Sequence, residues 1–536
     1  MRVRRPWWIL AVLCVSLLMI GLDNTILSVA LPTLVRELHA SSSQLQWIVD
    51  SYTIVFAGLL LVGGSLGDRF GRKWALLVGL AVFNVGSVLS AFAASPEILI
   101  GTRALMGVGG ALVMPATLSI LTNVFVESRE REKAIGIWAG VAGVGVAVGP
   151  IAGGLLLQHF WWGSVVLVNV PVVAAGMLAA AFLVPNSADP SVPRLDPVGS
   201  ALSIAGLCVL LWGIIEAPTT GWGSTRVLAG MVGGIAILVA FLAWELHTDH
   251  PMLNLGFFRN RRFSAACAAV SLVVFALFGM LFVETQHLQF VLGYSALAAG
   301  IRFIPVAGTL LLGGPLSTLL VRRLGTKVVA GSGLVMVAAG LAWLATVSDG
   351  STYLSAVLGP FIIMGLGMGL TMAPATEAIM GALPRAQAGV GSAMNSAVMQ
   401  VGGAMGVAVI GSVLASGYRS VVGGTLTGHA IPAVAVTAIK SSVGGALEVA
   451  HRAPAALGAA LAAVARHGFV HGMGLAMPVA AGVALAGALV VLIFLPARAE
   501  GDPDAADAAD AARRADDEVQ PAAKAQAEPA SVGARR

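Results

Sequence analysis

The sequence is dominated by apolar stretches of about 20 residues, the length that an α-helix needs to cross the hydrocarbon core of a bilayer. Fourteen such stretches follow one another between residues 7 and 495. Only 11% of the residues are charged, whereas soluble domains carry about 25%. The chain therefore lacks the polar surface that water requires, and the sequence predicts an all-α integral membrane protein.

The first stretch could be mistaken for a secretory signal. Three arginines precede it, and residues 28–30 resemble a cleavage site. The run from Trp7 to Leu31 is nevertheless long enough to span, contains Asp23, and is followed at once by further spans. We therefore expect a first transmembrane helix that is retained.

The basic residues predict the orientation of the chain. Clusters of Lys and Arg lie before span 1 and after spans 2, 4, 8 and 10, whereas the connections 95–97, 158–162 and 348–352 contain none. Because basic connections remain in the cytoplasm, both termini are predicted to be cytoplasmic. This arrangement requires an even number of spans, and we expect a multi-pass protein of the cell inner (plasma) membrane.

A degenerate internal repeat predicts the domain organisation. Residues 64–73 and 320–327 share Leu, Arg, Gly and Lys in the same register, eight spans apart. This spacing predicts two six-helix halves, 1–184 and 251–496, separated by two inserted helices with linkers, 185–250. Residues 417–471 are expected to form a long outer loop, in which interfacial helices are an open alternative. The tail 497–536 is rich in Ala and Asp and is expected to be disordered.

Four segments carry motifs. They are Gly64-Ser-Leu-Gly-Asp68-Arg69-Phe-Gly71-Arg72-Lys73, Leu22-Asp23-Asn24 through Pro32, Arg103 within 99–109, and Gly145 through Gly154. Each resembles a motif of the major facilitator superfamily, specifically its fourteen-span drug:proton antiporter family. Segments 46–52, 159–171 and 287–294 resemble the multidrug and quaternary-ammonium exporters of that family. The resemblance implies a major-facilitator fold, proton coupling and export.

The connection 64–73 resembles a conformational gating loop of the family. Its candidate residues are Gly64, Gly67, Asp68, Arg69, Gly71, Arg72 and Lys73. A tight turn at Gly67 and Gly71 is expected to bring two helix ends together. Asp68 can then bond to a helix N-terminus or to a basic side chain.

The fifth span resembles the antiporter motif that marks exporters. Its candidate residues are Gly145, Gly149, Pro150, Gly153 and Gly154. Glycines at 145, 149 and 153 recur every four residues, which gives one flat face for close helix packing. Pro150 is expected to kink the helix.

Three ionisable residues are predicted to share one layer of the membrane. With a rise of about 1.5 Å per residue, Asp23, Arg103 and Asp50 lie about 6, 9 and 10 Å to the outer side of the middle of their spans. An unpaired arginine at this depth is costly. We therefore expect Arg103 to pair with Asp23 or Asp50, either as a proton switch or as a permanent structural ion pair.

Other polar residues are candidates in the remaining spans. Glu377 is a further proton-coupling candidate, and Asn24, Gln289, Asn395 and Gln400 are substrate-pocket candidates. Related exporters that prefer cations carry an acidic residue near Asn395. The neutral residues here do not favour a strict preference for dications. His287 is interpreted as a polar surface or interface group.

The motifs also exclude several functions. The sequence contains no phosphate-binding loop and no hydrolase motif, so we expect neither an ATP-driven pump nor an enzyme. The leading hypothesis is export of amphiphilic drugs, dyes or antibiotics in exchange for protons. The alternatives are a narrow exporter of one antibiotic or metabolite, a non-transporting sensor and an inward nutrient symporter.

The expected partners are the lipid bilayer, protons and a small-molecule substrate, with no cofactor, metal or nucleic acid. The proton gradient is the expected energy source, and a monomer is the expected working state.

Overall fold

The computed structural model describes residues 6–125, 127–187, 196–248, 251, 255–382, 388–425 and 432–496. Within these ranges the chain is helical and contains no β-strand. Thirteen of the helices are long and apolar enough to cross a membrane. A further helix, Ser128–His159, occupies the place of the predicted fifth span. The all-α membrane architecture is thus confirmed, whereas the side on which the termini lie stays a prediction, and the tail 497–536 falls outside the described residues.

The first part of the chain folds into a succession of long helices. They are α1 (Pro6–Leu38), α2 (Ser42–Phe70), α3 (Arg72–Ala91), α4 (Pro96–Val124), α5 (Ser128–His159), the single turn α6 (Ser164–Leu167) and α7 (Asn169–Leu183). Serine caps mark two of the starts: Ser41 forms a capping box with Gln44, and the Ser95 hydroxyl accepts from the Ile98 amide. Helix α1 packs on α5, and α2 packs on α4.

Two helices lie where the sequence predicted an insertion, α8 (Pro197–Thr220) and α9 (Thr225–His247). They pack against each other, and α8 also packs against α2 and a later helix, α15. Ile54 of α2 shares an apolar cluster with Leu207 and Leu211 of α8 and with Ala404 and Ala408 of α15. Helix α8 therefore lies against both α2 and α15.

The remaining helices follow residue 254. They are α10 (Arg261–Gln286) with a π-helix at His287–Val291, α11 (Ala296–Arg302), α12 (Ile304–Leu324), α13 (Thr326–Leu344), a π-helix at Tyr353–Val357, α14 (Leu358–Met380), α15 (Ala388–Thr425), α16 (Ala433–Ser441), α17 (Val443–Arg452) and α18 (Ala455–Phe494). Helix α10 lies at the centre of this group and contacts α15, α18 and α14.

The segment 417–471, predicted as an outer loop in which interfacial helices were possible, is largely helical where the structure describes it. Helix α15 continues to Thr425, two short helices follow, and α18 begins at Ala455. Alanine favours these helices because it is the strongest helix former, and α17 also packs against α18.

The two copies of the repeated connection end their helices in the same way. Gly71, between α2 and α3, has φ of 117°, and Gly325, between α12 and α13, has φ of 83°. Glycine is favoured at such positive angles because a Cβ would clash. The repeat seen in the sequence therefore corresponds to a repeated backbone turn.

Candidate functional site

A buried ion pair joins α1 to α4. Arg103 Nη1 lies 2.5 Å from Asp23 Oδ2, and the two side chains are 2% and 0% exposed. The other carboxylate oxygen, Oδ1, accepts a hydrogen bond of 3.1 Å from Asn169 Nδ2 at the start of α7. Both oxygens of Asp23 are therefore engaged, one by a cation and one by a neutral donor.

Arg103 has two further partners on α2. Its Nε donates to the Ile48 carbonyl oxygen at 3.4 Å, and its guanidinium carbon lies 4.6 Å from the centre of the Tyr52 ring. A cation over an aromatic face is stabilised by the ring quadrupole. Removing two charges from water is costly unless such partners compensate for it. Arg103 thus holds α1, α2 and α4 together at one point.

Asp50 does not join this ion pair. Gln46 and Ile54 lie one turn before and after Asp50 on the same side of α2. Gln46 accepts a hydrogen bond from Ser412 of α15, and Ile54 packs on α8 and α15. Asp50 is completely buried, and its two oxygens have no hydrogen-bond partner in the described part of the chain. From its spacing to Gln46 and Ile54 we infer that it faces α8 and α15. Of the two aspartates expected at this depth, only Asp23 pairs with Arg103.

The glycine face of α5 packs on the helix that carries Asp23. A Cβ on Gly145 would lie 2.9 Å from the Leu18 carbonyl oxygen, and one on Gly153 would lie 2.8 Å from that of Ile26. A Cβ on Gly149 would overlap the Thr25 hydroxyl. These glycines therefore allow α5 and α1 to approach at backbone distance on both sides of Asp23.

Two residues of α5 contact the second half of the chain. A Cβ on Gly154 would lie 2.6 Å from Leu297 Cα, and one on Gly300 would overlap the Pro150 carbonyl oxygen. Helices α5 and α11 are thus packed backbone to backbone. Small residues at such crossings are typical of close helix contacts in membranes.

The connection 64–73 is mostly helical. Only Gly71 interrupts the helices, whereas Gly67 lies inside α2 and was wrongly expected to form part of the turn. The Asp68 carboxylate pairs with Arg72 Nε at 2.6 Å, which is the basic partner that the sequence allowed. Lys73 Nζ donates to the Ala181 carbonyl oxygen at 2.6 Å and so ties the connection to α7.

The predicted pocket residues lie on α1, on the π-helix that follows α10 and on α15. Gln289 is buried and donates from Nε2 to the Val29 carbonyl oxygen of α1 at 3.0 Å. Asn24 donates within α1 to Ile20, and Asn395 is half-buried on α15. Gln400 is also half-buried on α15, and Glu377 is exposed near the end of α14.

Two polar residues were missed by the sequence interpretation, and one was misjudged. Asn169 bonds to Asp23, and Gln46 bonds to Ser412. Both are amides in otherwise apolar segments, a signal that marks polar contacts between helices. His287 is not at the surface: it is fully buried and lies 3.1 Å from Glu284.

Three comparisons with known proteins bear on this arrangement. The sequence profile of the Major Facilitator Superfamily matches residues 13–407. The chain is 37% identical over 489 residues to the multidrug efflux pump LfrA of Mycolicibacterium smegmatis, covering 91% of this chain and 96% of that protein. It is 34% identical over 494 residues to the tetracenomycin C resistance and export protein of Streptomyces glaucescens, covering 91% of each.

Solved structures also resemble the fold. A bacterial homologue of the human lysosomal transporter Spinster, in an inward-facing and unoccupied conformation, superposes with a TM-score of 0.63. The alignment covers 92% of this chain and 99% of that one at 17% identity. At this identity the likeness concerns the fold alone.

Proposed function

The chain belongs to the major facilitator superfamily, and on this premise we propose that it exports amphiphilic drugs, dyes or antibiotics from the cytoplasm in exchange for protons. The observation that carries the proposal is the buried Asp23–Arg103 pair, which is completed by Asn169 and packed against the glycine face of α5. Ionisable residues inside the membrane are costly and mark ion or substrate pathways.

Asp23 acts in this proposal as the coupling acid. Protonation removes its negative charge and with it most of the attraction for Arg103. Arg103 keeps its contacts with Ile48 and Tyr52, so α4 stays joined to α2 while its hold on α1 weakens. The proton therefore favours one arrangement of α1 over another, which is what coupling to a conformational change requires.

Asp50 acts as a second proton carrier at the contact between α2, α8 and α15. A buried carboxyl group without a hydrogen-bond partner is accommodated at much lower cost as the neutral acid than as the anion. Opening this contact to water would allow Asp50 to ionise. Its protonation is thus linked to the separation of α2 from α15, whereas that of Asp23 is linked to the position of α1.

Two substrate specificities, broad and narrow, are candidates. The multidrug pump LfrA favours broad export, and the tetracenomycin C export protein favours a single antibiotic. The neutral residues around Asn395 do not favour a strict requirement for dications. A resistance panel separates the candidates, because broad export shifts many compounds and narrow export shifts only one. We propose that the protein works as a monomer, with two six-helix halves and no cofactor.

Inverted membrane vesicles provide the test. A proton gradient is imposed and followed with a pH-sensitive dye, and cationic and neutral amphiphiles are added to the wild type, Asp23→Asn and Asp50→Asn. Compounds that are exported discharge the gradient in the wild type and fail to do so with Asp23→Asn. Asp349→Asn is the control, because it removes an exposed carboxylate and should behave as the wild type. Equal discharge by the wild type and Asp23→Asn would show that Asp23 is not the coupling acid.

A further inference from the structure

A further buried acid lies on α10. Glu284 and His287, near the end of α10 and the start of its π-helix, are both fully buried. His287 Nδ1 lies 3.1 Å from Glu284 Oε2. The remaining atoms, Glu284 Oε1 and His287 Nε2, have no hydrogen-bond partner in the described part of the chain. We call these two residues the Glu284–His287 dyad.

The dyad adjoins a contact between the two halves. The π-helix begins at His287, whose carbonyl oxygen accepts from the Leu292 amide at 3.0 Å. Two residues after His287, Gln289 donates to the Val29 carbonyl oxygen of α1. Such π-turns inside α-helices are frequent at functional sites. A change in the packing of the dyad is therefore placed to act on the bond between α10 and α1.

The charged and titratable side chains around the dyad come from several helices. Arg302 lies over the rings of Tyr294 and Tyr353, and Glu284 is within electrostatic range of Tyr353. Arg466 of α18 donates to the Phe290 carbonyl oxygen. Other helices packed on α10 carry further charged or titratable groups, which bond elsewhere: Asp23 with Arg103, Tyr418 with the Ile439 carbonyl oxygen, and Arg419 with the Pro218 carbonyl oxygen. Glu377 of α14 is exposed.

We propose that the Glu284–His287 dyad is a further proton-binding site, which carries one proton per transport cycle in addition to the protons on Asp23 and Asp50. With one proton the dyad has no net charge, whether as a carboxylate with an imidazolium or as a carboxylic acid with an imidazole. Without that proton it carries one negative charge. An uncompensated charge in a fully buried position is costly, so loss of the proton destabilises the packed state.

The burial of the dyad identifies the ligand. Both side chains are completely covered, so the described arrangement excludes an organic cation, whereas a proton needs no volume. The proton enters from water on the outer side when the Gln289–Val29 contact opens, and it returns to water on the cytoplasmic side. The proposal rests on the proposed function, because it adds a further proton to the same antiport cycle.

The number of protons exchanged per substrate tests the proposal, because removing a purely structural ion pair would not change it. Full-length protein is reconstituted in liposomes with ethidium as the probe, and the membrane potential is held at zero with potassium and valinomycin. The pH difference that stops net ethidium flux gives the number of protons per ethidium. A tenfold ethidium gradient is balanced by about 1 pH unit for one proton and by about 0.5 pH unit for two.

The wild type is expected to exchange at least two protons for each ethidium, and Glu284→Gln, which removes the carboxyl group, is expected to exchange one fewer. Thr285→Val is the matched control. It alters a neighbouring buried side chain whose hydroxyl lacks a partner in the described chain, and it should keep the wild-type ratio. Ethidium–ethidium exchange without a pH gradient, which needs no net proton movement, shows that each variant is folded.

A wild-type ratio of one overturns the dyad proposal even if no variant folds. An unchanged ratio in an exchange-competent Glu284→Gln overturns it as well. Absence of proton-driven ethidium flux in the wild type overturns broad export, on which the dyad proposal rests, whereas a wild type that transports ethidium at a ratio of one overturns the dyad proposal alone.

Discussion

Replacing Gly300 by alanine should weaken the contact between α5 and α11. The added Cβ would overlap the Pro150 carbonyl oxygen and lie 2.8 Å from the Pro150 carbonyl carbon. Carbon atoms pack at about 3.5–4.0 Å, so the two backbones must separate by about 0.7 Å or more. Neither partner is a flexible side chain that could turn away. Overpacking of this kind costs about 1–3 kcal/mol, which corresponds to a shift of about 5–150-fold in an equilibrium between two conformations.

The shift can be measured as a distance between the two halves. Spin labels are placed at the exposed residues Phe92 and Leu354 after the three native cysteines have been replaced, and distances are recorded by double electron–electron resonance. Gly300→Ala should move the population toward the longer distance. Gly308→Ala should leave it unchanged, because a Cβ there meets no atom within 4 Å. A distance distribution for Gly300→Ala that equals the wild type would refute the inference that this contact holds the halves together.

Two further substitutions test the packing around Asp23. Gly149→Ala places a Cβ against Thr25 and 3.0 Å from the Ile26 nitrogen, and it should lower the free energy of unfolding by about 1–3 kcal/mol. Gly140→Ala is the control, because a Cβ there meets nothing within 4 Å, and it should not lower the unfolding temperature in detergent. Equal unfolding temperatures for the two variants would contradict this account. Asn169→Ala removes one of the two donors to Asp23 and should cost about 1–3 kcal/mol by leaving Oδ1 unsatisfied; an unfolding temperature equal to that of the wild type would show that Asn169 does not support the ion pair.

The spans and the existence of a buried ion pair could be predicted because both follow from the cost of placing groups in lipid. A span needs a fixed length of apolar residues, and Arg103 needs a counter-charge at its own depth. The choice between Asp23 and Asp50 could not be predicted. Counting residues from the middle of a span gives depth, but the direction of a side chain around the helix axis depends on which neighbours pack there.

The segment 417–471 shows a different limit. Its glycine, serine and proline residues are typical of turns, whereas its alanines favour helix, and the structure makes most of the described part helical. The buried position of His287 was missed for a related reason. A single histidine in a sequence gives no periodicity from which its burial can be predicted. Glu284, three residues earlier, indicates a buried pair only once the two residues are known to lie on the same face of a helix.

Helix α1 is the element on which these contacts converge. Its Asp23 pairs with Arg103 of α4 and accepts a hydrogen bond from Asn169 of α7. The glycines of α5 pack along α1 on both sides of Asp23, and the Val29 carbonyl oxygen accepts the hydrogen bond from Gln289. Six residues separate Asp23 from Val29, a rise of about 9 Å along one continuous helix. If α1 moves as a rigid unit, the protonation of Asp23 that we propose would also change the fit of Val29 against Gln289. We therefore expect the Asp23–Arg103 pair and the Gln289–Val29 contact to be coupled through the backbone of α1.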